Sequence, residues 1–206
     1  KFFLPYAGFF TESAQRDLEI LQNNRKNTVE NFTDLVASTS LLNINEFDKY
    51  FFNGSNLFDY QNIQRDSLDV ESPEVIMENV FQNCLFSESN IRGYFDNCSF
   101  KKELILYLTL TNDNFSETYN SLIVDFRGPE VDVNFINFNW QKIKKDRNEK
   151  DIHNILHIKV RQDSFVWVID NKMPWEDLSI GFQCRIDRIP DIYNVDFWHY
   201  FTNVYI

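Results

Sequence analysis

The chain has 206 residues, a formal net charge of −11, 25% charged residues and 17% aromatic residues. This length and aromatic content predict a folded protein with a buried core and exclude an intrinsically disordered one. The acidic balance excludes a protein that neutralises nucleic-acid phosphates with a broad basic surface. The basic segment at residues 141–150 also contains acidic residues, and it predicts a solvated loop.

Composition also predicts where the protein resides. No apolar run reaches the length that a membrane span needs, and the first residues lack the features of a signal peptide. The three cysteines form no CxxC pair, which fits a reducing compartment. We therefore predict a cytoplasmic protein with no membrane partner. The chain does not begin with Met, and Lys1 leads directly into an apolar run, which predicts a fragment of a longer protein.

The first part of the chain predicts short elements separated by polar loops. Residues 2–10 form an apolar run that contains a small residue and a glycine, as a buried strand entering a loop would. Residues 11–17 then predict a polar loop or a helix start. Apolar residues at helical spacing over 29–36 predict a helix of about three turns. Residues 41–72 predict loop with short elements.

The middle of the chain predicts a pair of helices. Ser72 is followed by Pro73 and Glu74, an N-cap with a first-turn proline and an acid, and this pattern predicts a helix to about Cys84. Phenylalanines recur at five-residue spacing in residues 81–100. Two such turns are too few for a solenoid, which needs sustained stacking.

From Leu104 onward the apolar pattern changes to that of strands. Four segments, rich in β-branched and aromatic residues, predict an antiparallel sheet. They are residues 104–110, 120–126, 131–138 and 155–160. Residues 162–170 predict a short helix, and Pro174 opens another that we expect to extend to about residue 188. The predicted fold class is α+β, with the sheet followed by C-terminal helices.

Motifs for catalysis and metal binding are absent from the sequence. His153 and His157 have the spacing of metal ligands on a helix, but they lie where a loop enters a predicted strand. There is no HxHxD run, no GxSxG elbow, no P-loop and no GxGxxG. We therefore predict no metal site in this chain and no complete active site.

The densest run of distinctive residues is 174–201. Most of its aromatic and aliphatic residues predict core or docking positions. Arg185 and Arg188 lie three apart on one face of the predicted helix, and two guanidinium groups there can bind a phosphate or a carboxylate bidentately. They can equally pair with the aspartates of residues 187–196 and fix the turn. Both interpretations stay open.

Two blocks of the sequence resemble the CMP-N-acetylneuraminate hydroxylases. Residues 175–193, WEDLSIGFQCRIDRIPDIY, with the aromatic residues of 197–201, are similar to the C-terminal block of that family. Residues 4–13, LPYAGFFTES, followed by Asp17, are similar to a second block in the same order. The residues between about 40 and 150 match weakly.

The resemblance implies a larger enzyme with a Rieske-type [2Fe–2S] domain, then a metallo-β-lactamase-like domain, then an appended C-terminal region. Residues 1–60 would be the tail of the metallo-β-lactamase-like domain, and residues 61–206 an appended α+β domain. Members of the family hydroxylate the N-acetyl group of CMP-sialic acid with electrons from cytochrome b5. The implied partners are thus the upstream domains, the nucleotide sugar and cytochrome b5. The [2Fe–2S] cluster and a metal ion are expected in the parent protein, not in this chain, which we expect to be inactive alone.

The resemblance also implies roles for particular residues. The loop after the last core strand of such a fold faces the metal, so Glu12, Ser13 and Asp17 would lie nearest the chemistry. Arg185 and Arg188 would bind the anionic nucleotide sugar. The family commonly has a histidine directly after the Glu-Ser pair, whereas this chain has alanine at that position, which departs from the family's pattern.

Two other functions fit the same sequence. One is a fragment of a hydrolase with the metallo-β-lactamase fold that acts on another sugar or phosphate compound. The other is a non-catalytic module, similar to sterol-carrier domains, with an apolar cavity between the sheet and the helix predicted at 175–188.

Overall fold

The computed structural model describes residues 2–3, 14–23, 40–42, 49–54, 56–61, 71–146 and 154–203. The chain divides into two compact units, residues 1–77 and 78–206. The boundary at residue 60 is predicted from the resemblance, which implies that the residues on its two sides come from different ancestral domains. A division into compact units does not test that origin, so this boundary stays a prediction. The helix predicted over 29–36 lies outside the described residues.

The first unit contains short elements. Strand β1 (Phe2–Phe3) pairs in parallel with β2 (Ser40–Leu41). A 3-10 turn (Gln15–Asp17) leads directly into helix α1 (Leu18–Asn23), which agrees with the predicted helix start.

An antiparallel hairpin follows in the first unit. It consists of β3 (Lys49–Asn53) and β4 (Asn56–Gln61), with a register shift after Phe51. The rings of the register partners Tyr50 and Tyr60 lie 4.9 Å apart, a cross-strand aromatic pair of the kind that stabilises hairpins.

Two helices occupy the middle of the chain, as predicted. Helix α2 (Pro73–Phe81) begins at Ser72, whose Oγ accepts a hydrogen bond from the Val75 N–H at 3.4 Å. It ends three residues before the predicted end at Cys84. Helix α3 (Glu88–Asp96) begins after Ser87, whose side chain accepts from the Asn90 N–H at 3.3 Å.

The second unit is built around a five-stranded sheet in the order β7-β6-β5-β8-β9. Its strands are β5 (Leu104–Thr111), β6 (Thr118–Asp125), β7 (Asp132–Phe135), β8 (Asn154–Arg161) and β9 (Cys184–Ile189). The α+β class is confirmed. The sheet is mixed rather than antiparallel throughout, because β5 and β8 pair in parallel.

Four further helices lie in the described residues of this unit. They are α4 (Trp140–Asp146), α5 (Gln162–Asp170), α6 (Glu176–Ile180) and α7 (Val195–Asn203). Helix α5 lies where it was predicted, whereas part of the basic segment predicted as a loop forms α4. No helix within the described ranges is long and apolar enough to cross a bilayer.

The helix predicted over 174–188 is wrong in its second half. Helix α6 stops at Ile180, and after a turn the chain enters β9. Gly181 permits the stop, because a Cβ atom there would lie 2.7 Å from the Asp177 carbonyl oxygen. Beyond the turn, β9 pairs with β8 in antiparallel register over its whole length, and this pairing outweighs the local preference for helix.

One face of the sheet carries the main core. Helices α3, α5, α6 and α7 pack on it around Trp175, whose side chain is fully buried. The indole N–H of Trp175 donates to the Tyr94 hydroxyl at 2.9 Å, so the polar edge of this ring has a partner. The C-terminal block is thus core at Trp175, Leu178, Phe197, Trp198 and Phe201. Several other apolar residues of the block are exposed, among them Ile180, Phe182, Ile186, Ile192 and Tyr193.

The opposite face of the sheet carries a smaller cluster. Trp140 of α4 packs on Ile105 and Ile155, which are register partners in the parallel pair. The period of two in β8 therefore sends Ile155 and His157 to this face and Leu156 to the main core, as the sequence predicted.

Candidate functional site

The residues that the resemblance assigns to catalysis belong to the first unit. Glu12 and Ser13 lie outside the described residues. Asp17 ends the 3-10 turn, where its N–H donates to the Ala14 carbonyl at 2.8 Å and its carboxylate lies 4.0 Å from the Arg16 guanidinium. Ala14 is buried. A catalytic role for these residues stays a prediction.

Arg185 and Arg188 lie on β9 rather than on a helix. Side chains alternate between the two faces of a strand, so residues three apart point to opposite sides. Arg185 is the register partner of Lys159, and Arg188 that of Leu156 in the main core face. The prediction that both arginines share one helix face is therefore wrong, while a role in substrate binding stays a prediction.

Arg188 forms an ion pair with a nearby aspartate. Its Nε donates to the Asp191 carboxylate at 3.0 Å, and its guanidinium lies 5.8 Å from the ring centre of Tyr193. This is one of the pairings with a nearby aspartate that the sequence left open, although it follows a strand rather than joining two helices. The Asp191 side chain is 89% exposed, so the pair adds little to stability.

Arg185 has a different environment. Its guanidinium lies 4.3 Å from the ring centre of Phe115, and Nη1 donates to the carbonyls of Phe182 at 3.3 Å and Cys184 at 3.1 Å. Within the described part of the chain, no carboxylate pairs with it. An exposed guanidinium that is already held in place by an aromatic ring and two carbonyls can accept an anionic ligand at little entropic cost.

Both phenylalanines that contact Arg185 have a left-handed backbone. Phe115 has φ of 61° and Phe182 has φ of 57°, a conformation that costs a non-glycine residue about 1 kcal/mol or more. The ring of one and the carbonyl of the other meet the same guanidinium. The conformation of Phe182 has a local cause, because the Gln183 N–H donates to the Leu178 carbonyl at 2.9 Å and the Phe182 N–H to that of Ser179 at 3.3 Å, a Schellman motif at the end of α6. The two left-handed positions thus fix the ring and the carbonyl that hold Arg185.

Arg161 holds the two loops together behind Arg185. It is 2% exposed, its Nε donates to the Asp113 carbonyl at 2.7 Å, and Nη1 donates to the Gln183 side chain at 2.9 Å. It also lies 5.1 Å from the Phe115 ring centre. A buried guanidinium that joins the 112–117 loop to the start of β9 fixes the geometry around Phe115.

Sequence reasoning did not identify Phe115 or Arg161. The one available signal was a charged residue at the end of the apolar strand 155–160. The candidate site thus consists of Arg185, Phe115 and Arg161, with Lys159 beside Arg185 on the neighbouring strand. In a chain with a net charge of −11, this is a local concentration of positive charge suited to a phosphate or a carboxylate.

His157 is a structural histidine. Its Nε2 lies 2.9 Å from Thr109 Oγ1, and its ring packs 4.7 Å from that of Trp140. Burial lowers the pKa of His157 to about 4, and the Asp187 carboxylate only partly opposes this. The imidazole is therefore neutral at neutral pH.

The described residues contain no group of three or more His, Cys, Asp or Glu that converge as metal ligands. The residues that the structure describes therefore do not fit the iron–sulfur cluster or the metal ion that the resemblance implies for the parent protein. No redox step is assigned to them.

Several curated proteins are similar to nearly the whole chain. A mouse protein named cytidine monophosphate-N-acetylneuraminic acid hydroxylase is 27% identical over 98% of this chain and 36% of its own length. A rhesus macaque protein of the same name is 26% identical over 98% of this chain and 35% of its own length. A human protein named inactive cytidine monophosphate-N-acetylneuraminic acid hydroxylase is 26% identical over 98% of this chain and 41% of its own length.

The chain thus spans about a third to two fifths of the length of these relatives. No family model matches it. No solved structure matches it either.

Proposed function

We propose that this chain is the C-terminal part of an oxidoreductase that hydroxylates the N-acetyl group of CMP-sialic acid. The observation that carries the proposal is the alignment of 98% of the chain with proteins named as hydroxylases of this compound. The two blocks of residues that resemble the family lie near the two ends of that alignment. Because the relatives are two to three times longer, we expect this part to be inactive alone.

In this proposal the second unit contributes contacts to the substrate rather than the chemistry. CMP-sialic acid has a phosphodiester and a carboxylate, and either can accept hydrogen bonds from a guanidinium group. Arg185 is exposed, is held by Phe115 and two carbonyls, and has no carboxylate partner in the described ranges. We assign it to an anionic group of the nucleotide sugar. Arg188 has a partner in Asp191 and is not assigned to the substrate.

The upstream part of the parent protein would supply the Rieske-type cluster, the metallo-β-lactamase-like domain and its metal ion. Cytochrome b5 as electron donor and a cytoplasmic location complete the proposal. Glu12, Ser13 and Asp17 stay candidates for the part of this chain nearest the catalytic metal. The role of Ala14 is tested by Ala14→His, which would raise turnover if the family's histidine takes part in the reaction.

The test is hydroxylation of CMP-N-acetylneuraminate by the whole protein that contains this chain, supplied with reductant and cytochrome b5. Arg185→Ala should raise KM about tenfold or more, since it removes a charge-assisted contact. Arg188→Ala is the matched control, because it lies on the same strand but on the opposite face, and it should change KM less than twofold. Equal effects of the two variants would contradict the assignment of Arg185.

The whole protein also distinguishes the hydrolase alternative. The hydrolase would release a sugar or a phosphate in the absence of reductant and would incorporate no oxygen when reductant is added. Both results together would contradict the proposal. No observation in the described residues favours either alternative function.

A further inference from the structure

A polar pocket of about 450 Å³ opens at the carboxyl ends of β5 and β8, the two strands that pair in parallel. In open sheets, ligands commonly bind outside the carboxyl ends of parallel strands. The pocket is lined by the 112–114 turn, by Tyr119 of β6 and by Gln162 and Asp163 at the start of α5. Its size suits a nucleoside rather than a single ion.

Three amide side chains line this pocket. Asn112 bonds within its own loop through both its NH2 group and its oxygen, whereas Gln162 and Asn114 have only their oxygens engaged. Gln162 Oε1 accepts from the Asn120 amide at 2.6 Å. Asn114 Oδ1 accepts from the Ser116 N–H at 3.1 Å and from its hydroxyl at 2.5 Å. No described residue accepts a hydrogen bond from either NH2 group. Each amide therefore presents donors for acceptors of a ligand.

Carboxylates lie beside these donors. Asp113 and Asp163 both line the pocket. The pairing edge of cytosine presents an amino donor followed by two acceptors, so it needs one acceptor and two donors from the protein. Uracil presents a carbonyl in place of the amino group and would set an oxygen against a carboxylate. Tyr119, which is 52% exposed, offers an aromatic face on which a base can stack.

The same carboxylates make the pocket unsuitable for a phosphate. Two cationic groups contact the 112–117 loop beside the pocket. Phe115 of this loop contacts Arg185, and the Asp113 carbonyl accepts from Arg161. We propose that the pocket binds the cytosine ring of a cytidine nucleotide while Arg185 binds its phosphate. This inference rests on the proposed function and names the part of the substrate that each subsite takes.

The test measures binding of CMP and UMP to the chain by calorimetry. The chain should bind CMP about tenfold more tightly than UMP, a difference typical of one base-specific contact. Asp163→Asn should bring this ratio close to one, while the asparagine can still accept from the Ser164 N–H as Asp163 does at 2.5 Å. Tyr119→Ala should weaken both nucleotides about tenfold by removing the stacking surface. Arg185→Ala should weaken both equally and leave their ratio unchanged.

Two matched controls belong to the same unit but do not line the pocket. Asp170→Asn changes a carboxylate at the opposite end of α5, and Tyr193→Ala removes another exposed tyrosine. Neither should alter the affinity for either nucleotide.

The outcomes separate the two proposals. Equal affinity of the chain for CMP and UMP, or no effect of Asp163→Asn and Tyr119→Ala, would overturn the cytosine pocket. In that case a loss of CMP-N-acetylneuraminate binding in Arg185→Ala would still support the proposed function. If neither CMP nor CMP-N-acetylneuraminate binds, the pocket and the substrate role of Arg185 are both overturned.

Discussion

The imidazole of His157 packs against the indole of Trp140 with their ring centres 4.7 Å apart. The same indole donates its N–H to the Asp187 carboxylate at 2.8 Å, and Asp187 is the register partner of His157 across β8 and β9. Lys144 donates to that carboxylate as well, at 2.8 Å. Helix α4 is thus attached to the sheet through one buried histidine and one carboxylate.

This arrangement predicts a loss of stability in mild acid. The pKa of His157 is lowered from 6.5 to about 4 by burial, so the unfolded chain binds the proton first. The contribution of neutral His157 to the free energy of unfolding is complete above about pH 6.5 and declines as the pH falls toward 4. Between pH 7 and pH 5 we expect the free energy of unfolding to fall by about 2 kcal/mol from this group. Urea unfolding at both pH values measures it.

His157→Gln is the control for that prediction, because glutamine does not titrate there. Its unfolding free energy should change less between pH 7 and pH 5 than that of the natural chain. Hydrogen bonds from Lys144 and Trp140 outweigh the burial of Asp187 and lower its pKa below 3.8. The contribution of Asp187 is therefore lost only below this window. An unchanged pH dependence in His157→Gln would contradict the prediction.

We predict that a substitution at the C-terminal end of α5 stabilises the protein. The Met173 N–H donates to the Val168 carbonyl at 2.9 Å and the Lys172 N–H to that of Ile169 at 3.3 Å, which is a Schellman motif. Lys172 occupies its left-handed position, with φ of 53°. Lys172→Gly removes the steric cost of a Cβ atom there and should raise the unfolding free energy by about 0.5–1 kcal/mol. Lys172→Ala should not stabilise the chain, since alanine keeps the Cβ atom.

We predict that removal of the Arg161 side chain lowers the free energy of unfolding substantially. Arg161→Met removes a side chain that is 2% exposed, leaves the Asp113 carbonyl without the donor that lies 2.7 Å from it and ends the contact with Phe115. We expect a loss of about 2–3 kcal/mol by chemical denaturation. Arg188→Met removes a partly exposed ion pair and should cost about 1 kcal/mol or less. Similar losses in the two variants would show that Arg161 does not fix the loop.

Because Trp175 and Tyr94 share a hydrogen bond, we predict that the effects of substituting them on stability are not additive. Burial raises the pKa of the Tyr94 hydroxyl, which therefore stays protonated and accepts from the indole N–H at 2.9 Å. Trp175→Phe, Tyr94→Phe and the double variant should give a coupling free energy of about 1 kcal/mol. Additive losses in thermal or urea unfolding would mean that the two side chains contribute only by packing.

Local sequence patterns determined much of the second unit. The alternation of apolar residues in 104–111 and 154–161 specified strands with two different faces, and the cap at Ser72 specified the start of α2. These features depend on side-chain period and on hydrogen bonds between near neighbours, which a sequence displays directly. The order of residues in the last block also predicted a resemblance to the hydroxylases, and nearly the whole chain is similar to one of them.

The tertiary structure alone decided how the two arginines differ. Their spacing of three is compatible with one helix face or with opposite faces of a strand, and only the pairing of β9 with β8 selects the strand. That pairing separates Arg188 from Arg185 and brings Arg185 to Phe115, seventy residues earlier in the chain. Such long-range contacts depend on which segments meet in three dimensions, because hydrogen bonding between distant strands overrides local propensity.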